Sequence, residues 1–425
     1  MNRTRIAVIL LPLFALLAET ASAIPVFARQ YGMSCAACHT AFPRLNAFGE
    51  QFVENNFRLA NWRDIGGDIK DDLLVLPEYP PLSIRAQGFF QARDAENVDV
   101  VTGERTQADT DFQSPYLIKL LSSAPLSEHI SFYFYGIFAE KGGNGETLIE
   151  DAWFSHDDLF GSGVAMQLGQ FQVSDLMFPR EQRLTFQDYV PYRMAGITYE
   201  RGIILSRGAG PLDLAVGLVN GNGISDSADI NSPGFARPDN LFDNDNGKNA
   251  FGRIGTTLGP VNVGLFGLSG EQSRADGPAG AADGPTGSDK EVYGIDLSGR
   301  IGAKTYWYAQ YLWNTWDDFL VAAPGQSFDW EGGFAGIDYN LDERWVLSGL
   351  YNYADAGDFE GSDTVFEGLD INSVTLAASY YFMRNVKGII EVNGDLLDKD
   401  EQTGAFYTGH LTRENYVLFG FDTAF

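Results

Sequence analysis

A period-two alternation of apolar and polar residues runs through this chain of 425 residues from about residue 82 to its end. In one such stretch, Tyr293 and Ile295 share one face, whereas Asp296 and Ser298 share the other. Because successive side chains of a β-strand point to opposite faces, the pattern predicts strands with one apolar and one polar face. An apolar outside and a polar inside are typical of a transmembrane β-barrel, although a soluble sandwich would show the same alternation.

The lengths of the connections between strands favour the barrel. Long connections, such as 94–111 and 221–248, alternate with tight turns, such as 259–260 and 340–342. Long outer loops and short inner turns are typical of outer-membrane barrels, and they place both chain termini on the periplasmic side. We therefore predict an all-β fold, an antiparallel transmembrane barrel of about sixteen strands, an even number as bacterial barrels require. The predicted strands cover residues 82–93, 112–123, 129–140, 147–156, 163–174, 195–204, 211–220, 249–258, 261–270, 289–300, 303–316, 326–339, 343–353, 371–382, 386–394 and 415–425.

The last predicted strand and the composition agree with a barrel. Residues 416–425 place Val417, Phe419 and Phe421 on one face and end on Phe425. A terminal strand of this kind resembles the signal by which outer-membrane barrels are delivered to their insertion machinery, although a soluble sheet could end in the same way. The chain has 48 Gly, 31 Phe and 19 Tyr with only 20% charged residues. Such a composition is poor in the residues that dominate helical proteins.

The first residues resemble an export signal. A basic run at 2–5 is followed by an apolar run at 6–17 and by the small residues 21–23. This order is typical of a cleaved secretory signal, and the apolar run is too short for a membrane-spanning helix. We predict that residues 1–23 are a signal peptide, that the mature chain starts at Ile24, and that the protein is exported.

Residues 35–39 form a C-x-x-C-H run, the attachment sequence of a c-type haem. A C-x-x-C pair alone could also be a redox dithiol, half of a zinc site or a disulfide. Cys35 and Cys38 are the only cysteines of the chain, and His39 follows at once. We therefore predict one covalent haem c, attached through both thiols, with His39 as the proximal ligand of its iron.

The segment 24–81 precedes the barrel and is too short to enclose a haem by itself. We predict that it is a small helical plug in the barrel lumen, which borrows its walls from the strands. Arg29 and Arg44 are the nearest bases and could hold the haem propionates. Phe27 could add to an apolar face that follows the motif at helical spacing and could pack on the macrocycle. That face comprises Phe42, Leu45, Phe48, Phe52 and Phe57.

The ligand on the opposite side of the iron has few candidates, because the chain has four histidines and six methionines. His129 has lumen parity near the predicted inner end of its strand and is our preferred candidate. Met177 or Met194, beside the outer loop after the fifth strand, would be preferred if the haem lay higher in the barrel. A five-coordinate iron remains an alternative. The weaker candidates are Met33, Met166, His156 and His410.

The formal net charge of −28 is concentrated in predicted outer loops. The loops 94–111 and 354–370 are rich in Asp and Glu and nearly free of bases. Such loops attract cations and repel anions, which argues against a pore that selects phosphate and makes nucleic acid an improbable partner. The stretch Asp243–Gly247 opens like a calcium-binding loop but lacks the later glutamate, so a solvated surface loop is the preferred interpretation.

The residues Pro25–His39, followed by Phe42-Pro43, Leu45-Asn46 and Phe48-Gly49, resemble the fused monohaem cytochrome–porins of the outer membrane. That family includes the iron-oxidising cytochrome–porins. The barrel portion resembles phosphate-selective-type porins in style only, at residues 219–223. The resemblance implies a haem plug in a sixteen-stranded pore that passes electrons from outside to periplasmic carriers.

From the family, Cys35, Cys38 and His39 carry over directly, whereas the electron donor does not. Two functions stay open. The chain is either an outer-membrane electron conduit, which takes electrons from an extracellular donor such as ferrous iron and could act as a ferrous-iron oxidase, or a diffusion porin whose haem plug is structural or senses redox state. The predicted division is a signal peptide at 1–23, a haem segment at 24–81 and a lipid-embedded barrel at 82–425.

Overall fold

The structure, a computed structural model, describes residues 26–60, 62, 71, 73, 80–94, 96–98, 105–107, 110–140, 148–221, 247–274, 286–359, 370–397 and 415–425. The predicted signal peptide, His410 and residues 243–246 of the calcium-like loop lie outside the described residues. Within the described part of the chain, no helix is long and apolar enough to cross a membrane.

Sixteen antiparallel strands form a closed barrel, as predicted. Each strand pairs with the next along the chain, and the last strand pairs with the first, so the sheet has no free edge. The strands are β1 Leu82–Asp94, β2 Thr110–Pro125, β3 Ile130–Glu140, β4 Leu148–His156, β5 Ala165–Gln172, β6 Tyr199–Ala209, β7 Leu212–Val219, β8 Asn249–Leu258, β9 Val261–Ser273, β10 Thr286–Ile301, β11 Thr305–Asp317, β12 Ser327–Asn340, β13 Trp345–Asp355, β14 Ile371–Met383, β15 Val386–Asp395 and β16 Asn415–Ala424. A short ribbon, Glu96–Val98 with Arg105–Gln107, follows β1.

The apolar and polar residues that alternate in the sequence lie alternately on the outer and the inner surface of the barrel wall. In β10, Tyr293 is 55% exposed on the outer surface, whereas Asp296 is 2% exposed on the inner one. In β3, Ile130 and Phe138 are exposed and Ser131 is buried. Aliphatic and aromatic residues on the outside and polar residues on the inside are what a barrel in lipid requires.

The two rims of the barrel differ in the length of their connections. One rim, here the turn end, carries tight turns such as the one at Gly259, where a φ of +63° is the left-handed conformation that glycine adopts freely. Both ends of the barrel sequence lie at this rim, since the backbones of Ile84 and Phe425 are hydrogen-bonded to each other at 2.6 and 2.8 Å. The opposite rim, here the loop end, carries the long connections.

Residues 26–60 form a compact plug, and its hydrogen bonds place it inside the turn end. Three helices, α1 Val26–Tyr31, α2 Cys35–Cys38 and α3 Ala47–Glu54, flank a hairpin of His39–Ala41 and Arg44–Leu45. Asn46 caps α3, because its side chain accepts a hydrogen bond from the Gly49 amide at 2.9 Å. A Cβ at Gly49 would lie 2.3 Å from the Cys38 carbonyl oxygen, so only glycine allows α3 to approach α2 this closely.

The connection between β5 and β6, residues 173–198, folds into the lumen instead of lying outside as an outer loop, which corrects the prediction from sequence. We call it the constriction loop; it contains the short helix α4 Val190–Met194. It reaches the opposite wall, where the Asn352 side chain donates to the Asp188 carbonyl at 3.0 Å and the Phe186 amide donates to Glu391 at 2.6 Å. The physical reason is its apolar content, which includes Tyr189 and Tyr192, both fully buried.

The constriction loop divides the lumen into two unlike halves. Along β8–β13, which we call the dry half, lumen-facing residues such as Leu312, Phe334 and Leu350 pack against the loop and are at most 3% exposed. Along β1–β4, which we call the charged half, the lumen-facing residues include Lys119 and Glu150. Buried polar residues such as Asp296 and Asp338 also face the lumen in the dry half, so what distinguishes this half is the apolar packing of its wall against the constriction loop.

Candidate haem-attachment site

The two cysteines stand one helical turn apart at the ends of α2. Cys35 opens the helix and Cys38 closes it, both are partly buried, and neither takes part in a disulfide. Burial raises the pKa of both thiols, and at Cys38 the neighbouring Cys35 raises it further, so both are held as neutral thiols. Two thiols at this spacing on one helix are the geometry that covalent attachment to two vinyl groups requires.

His39 follows the helix directly and is oriented by the hairpin that it begins. Its Nδ1 lies 3.1 Å from the carbonyl oxygen of Pro43, and since that carbonyl can only accept, Nδ1 carries the proton. Nε2 is left with a free lone pair, as a metal-ligating imidazole needs. Burial lowers the pKa of His39, which keeps the ring neutral. These residues fit a covalent haem whose iron is bound by His39.

The predicted apolar face is wrong as a single surface. The helix begins at Ala47, so Phe42 and Leu45 lie in the hairpin and its exit, where Pro43 and the Asn46 cap separate them from the helix. Phe52 and Phe57 instead join an aromatic core with Phe27, which stacks on Phe57 at 4.9 Å between ring centroids. Phe48 remains 41% exposed on α3, beside the motif, together with Val53 at 43%.

Arg44 does not have the role that we predicted for it. Its guanidinium is 3.0 Å from the carboxylate of Asp338 on β12 and lies over the rings of Tyr306 and Tyr308 at 4.8 and 5.0 Å. Both members of the ion pair are almost fully buried. Arg44 thus fastens the plug to the wall and has no free donor surface for a propionate, whereas Arg29 is exposed and its proposed role stays a prediction.

Further wall residues grip the plug at Phe42. The Tyr381 hydroxyl accepts a hydrogen bond from the Phe42 amide at 2.7 Å, and Lys387 donates to the Phe42 carbonyl at 2.5 Å. The guanidinium of Arg85 lies over the Phe42 ring at 5.1 Å. Asn56 of the plug donates to the carbonyl of His129, in the turn between β2 and β3, at 3.0 Å. The plug is therefore tied to the wall at several neighbouring strands and at this turn.

The structure gives His129, the candidate distal ligand, other partners, and its role stays a prediction. Its Nδ1 lies 2.7 Å from Asp157, which also pairs with Arg58 of the plug. His129 belongs to the turn between β2 and β3, and its ring is parallel to that of His156 at 5.5 Å. No hydrogen bond or ring contact joins it to His39 among the residues that the structure describes.

The methionine candidates are found in three different settings. Met177 is 7% exposed in the constriction loop, and Met194 packs against the same apolar cluster. Met166 shares a face of β5 with the exposed Leu168, so it points outward as the parity of the strand predicts. Met33 lies in the plug just before α2 and is partly buried. None of these placements tests ligation.

Comparisons with known proteins concern the barrel. OmpF from Salmonella typhi, solved in complex with daunomycin, matches with a TM-score of 0.53 at 13% identity, over 81% of this chain and 97% of that one. An anion-selective porin from Comamonas acidovorans matches with 0.52 at 11% identity, over 81% and 98%. OmpT of Vibrio cholerae, as a variant lacking loop L8, matches with 0.50 at 12% identity, over 81% and 99%. The fold is that of an outer-membrane porin. No protein-family model and no curated protein matches the chain.

Sequence reasoning missed the residues by which this porin barrel holds its plug. Asp338, Tyr381 and Lys387 all lie within a few residues of a tight turn. Their position was a signal, since polar residues of lumen parity near the turns face whatever fills the turn end. Alternation alone gives only the face on which a residue lies, and it does not show which segment lies opposite.

Proposed function

We propose that this protein is an outer-membrane cytochrome–porin that passes electrons across the outer membrane through one covalent haem c. The electrons would come from an extracellular donor, such as ferrous iron, and leave to a periplasmic carrier. The observation that carries the proposal is the seating of the C-x-x-C-H segment inside a porin barrel, with the His39 ring fixed by the Pro43 carbonyl at 3.1 Å. A haem held there would be enclosed by the barrel wall.

The chain's own residues have separate tasks in this function. Cys35 and Cys38 would tether the group covalently, and His39 would offer the Nε2 lone pair to its iron. Asp338 keeps the segment in place by holding Arg44, and Lys387 does the same at the Phe42 carbonyl. The haem supplies one-electron chemistry when bound, while the protein sets its potential and its access.

The alternative function, a diffusion porin with a structural or redox-sensing plug, has the porin fold in its favour. The constriction loop and the plug both lie in the lumen, which argues against this alternative. The constriction loop packs on the dry half, and the plug contacts that loop, since the Arg44 guanidinium lies 3.4 Å from the Tyr189 hydroxyl and the Leu45 amide lies 3.5 Å from the Gln182 side chain. A dissolved solute would have to pass both obstacles.

Haem attachment tests the proposal first. We expect the full chain, purified from outer membranes in detergent, to keep its haem absorbance through denaturing electrophoresis, and the Cys35→Ser, Cys38→Ser double variant to lose it. Ser34→Ala, an exposed neighbour of the motif, is the matched control and should keep the haem. Replacement of His39 by Ala should abolish the low-spin spectrum of the reduced protein. Wild-type protein without covalent haem would refute the proposal.

Electron transfer is tested on the same samples. We expect ferrous iron, added without oxygen, to reduce the haem quickly, and planar bilayers containing the protein to show little ion conductance. A protein that conducts ions steadily and whose haem ferrous iron does not reduce would instead be the diffusion porin.

A further inference from the structure

Two cations of the barrel wall lie against Phe42, the residue of the plug whose ring contacts His39. The Phe42 and His39 rings meet edge to face, with 5.5 Å between their centroids. The guanidinium of Arg85, on β1, lies 5.1 Å from the centroid of the Phe42 ring, and the ammonium of Lys387, on β15, lies 5.9 Å from it. The histidine of the C-x-x-C-H run therefore contacts a ring that two positive charges also approach.

These two cations share a single carboxylate, that of Asp422 on β16. Arg85 donates to it through two hydrogen bonds, at 3.0 and 2.8 Å, and Lys387 lies 3.5 Å from it. Asp422 and Lys387 are each 2% exposed. We call Arg85, Lys387 and Asp422 the cation triad. Because it holds two positive charges and one negative charge, the cation triad carries one uncompensated positive charge in the lumen.

The ion pairs nearest to the cation triad do not remove this surplus charge. Arg44 and Asp338 lie 3.0 Å apart and compensate each other. Glu181 of the constriction loop is 3.8 Å from Arg85, but it belongs to a separate group of ion pairs in which three bases meet three acids. The members of that group are Lys119, Arg180 and Arg183 with Glu150, Glu181 and Asp188. The surplus positive charge therefore stays with the cation triad, beside the plug.

Holding Phe42 in place does not require this charge. The Tyr381 hydroxyl accepts a hydrogen bond from the Phe42 amide at 2.7 Å, and Lys387 donates one to the Phe42 carbonyl at 2.5 Å. A neutral donor at position 387 could form the second bond equally well. A buried charge that is not fully compensated lowers the stability of the fold. Its place beside the motif therefore points to a role in the chemistry of the group that the motif binds.

We propose that the cation triad, through its one uncompensated positive charge, raises the reduction potential of a haem held at His39. Ferric iron carries one positive charge more than ferrous iron, so a nearby cation destabilises the ferric state more than the ferrous state. Net charge and burial around a redox centre are means by which a protein sets its potential. The inference rests on the proposed function and adds to it the residues that favour one direction of electron flow.

A raised potential suits a haem that takes electrons from a weak reductant such as ferrous iron. The ferrous ion loses one electron and the ferric haem gains it, so the transfer is favourable only where the potential of the haem exceeds that of the donor. The cation triad would therefore favour reduction of the haem by the donor. The electron would then pass to a one-electron acceptor of still higher potential.

Redox titration of the full chain in detergent, followed by the absorbance of the haem, tests the inference. Lys387→Gln removes one positive charge and keeps a donor for the Phe42 carbonyl. We expect it to lower the ratio of ferrous to ferric haem at a fixed potential about tenfold, which corresponds to about 59 mV for one electron. Asp422→Asn removes the negative charge and should raise the potential by a similar amount. The double variant again has one surplus positive charge and should return close to the wild-type potential.

Two matched controls separate the effect of charge from that of position. Lys290→Gln removes a lysine that is equally buried, at 2% exposure, but that donates to Gly196 of the constriction loop at 3.2 Å. No hydrogen bond or ion pair joins Lys290 to the plug among the residues that the structure describes. Tyr381→Phe releases the Phe42 amide without a change of charge. Both controls should shift the potential far less than Lys387→Gln.

A shift in the same direction in Lys387→Gln and Asp422→Asn would overturn the inference, as would an unchanged potential in both or an equal shift in either control. Because the two substitutions act in opposite directions, Asp422→Asn decides the outcome if Lys387→Gln does not fold. Covalent haem whose potential does not respond would overturn the inference and leave the proposed function standing. A wild-type chain without covalent haem would refute the proposed function and this inference with it.

Discussion

Along β8–β13 apolar side chains of the wall pack against the constriction loop, whereas along β1–β4 the wall meets the same loop through charged groups and hydroxyls. In the dry half, Tyr189 of the constriction loop stacks on Phe334 with 4.3 Å between centroids and 3° between planes. In the charged half, the same loop is held by Glu181, which meets Lys119 and the Tyr135 hydroxyl. The constriction loop therefore has a hydrophobic face and an ionic face. The hydrophobic face packs on the dry half, and the ionic face contacts the charged half.

The two kinds of contact stabilise the constriction loop in different ways. Apolar packing stabilises the loop without specific partners. Charged groups contribute less net stability, because their desolvation offsets much of their attraction. The plug lies between the two, with Arg44 turned toward Tyr308 of the dry half and Phe42 under Arg85 of the charged half.

The largest loss of stability should follow from opening the dry half. Phe334→Ala removes the stacking partner of Tyr189 and leaves a cavity beside Tyr192, whose ring lies 5.0 Å away. We expect the free energy of unfolding to fall by about 4 kcal/mol, measured by urea unfolding in detergent with tryptophan fluorescence. Phe160→Ala, at a turn residue that is 95% exposed, is the control and should change little. Equal effects would show that the dry half is no more tightly packed than the surface.

The link between plug and dry half comes next in size. Arg44→Met leaves the carboxylate of Asp338 buried without its cation, and we expect a loss of about 3 kcal/mol in the same assay. Adding Asp338→Asn removes the orphaned charge and should restore part of the loss. If the two changes simply add, the pair does not fasten the plug.

The ion pairs within the constriction loop should show their contribution through pH. Burial alone would raise the pKa of Asp188, but Arg180 and Arg183 outweigh it and hold this pKa well below its usual range. Since the folded pKa is depressed, the pair stabilises the protein above the unfolded value of about 3.9 and loses this contribution as the pH falls below it. Asp188→Asn should cost about 2 kcal/mol at pH 7 and much less at pH 3. An effect independent of pH would contradict the ionic interpretation.

The wall could be predicted from the sequence almost completely, because its information is local. Outward residues such as Tyr293 and inward residues such as Asp296 alternate along each strand, and the turns mark where strands end. The position of the constriction loop inside the lumen could not be predicted from the sequence, since the length of this loop resembles that of an outer loop. Only the opposite wall, with Phe334 and Asn352, gives its apolar residues a place inside.

The C-x-x-C-H motif could be predicted from the sequence because, like the wall, it depends on local information. Cys35, Cys38 and His39 are neighbours in the sequence, so their spacing along the chain determines how they lie in space. The anchor of Arg44 on Asp338 joins residues 294 positions apart, and no local pattern distinguishes it from an arginine that would face a propionate. Ion pairs and hydrogen bonds between residues far apart in the chain therefore could not be predicted from the sequence, whereas the motif could.

The smallest effect should come from the half-exposed contact between plug and wall. Glu50 of α3 lies 2.8 Å from Arg300, but the two side chains are 41% and 30% exposed, so water screens the pair. We expect Glu50→Gln to cost about 0.5 kcal/mol and the cost to vanish in high salt, measured by urea unfolding at two salt concentrations. Arg300 also donates to the Leu45 carbonyl at 3.3 Å, and this bond keeps the guanidinium in place when Glu50 is neutral. A loss of stability as large as that of Arg44→Met would mean that exposed and buried ion pairs hold the plug equally. Screening by water would then not explain the difference between the contacts of the lumen.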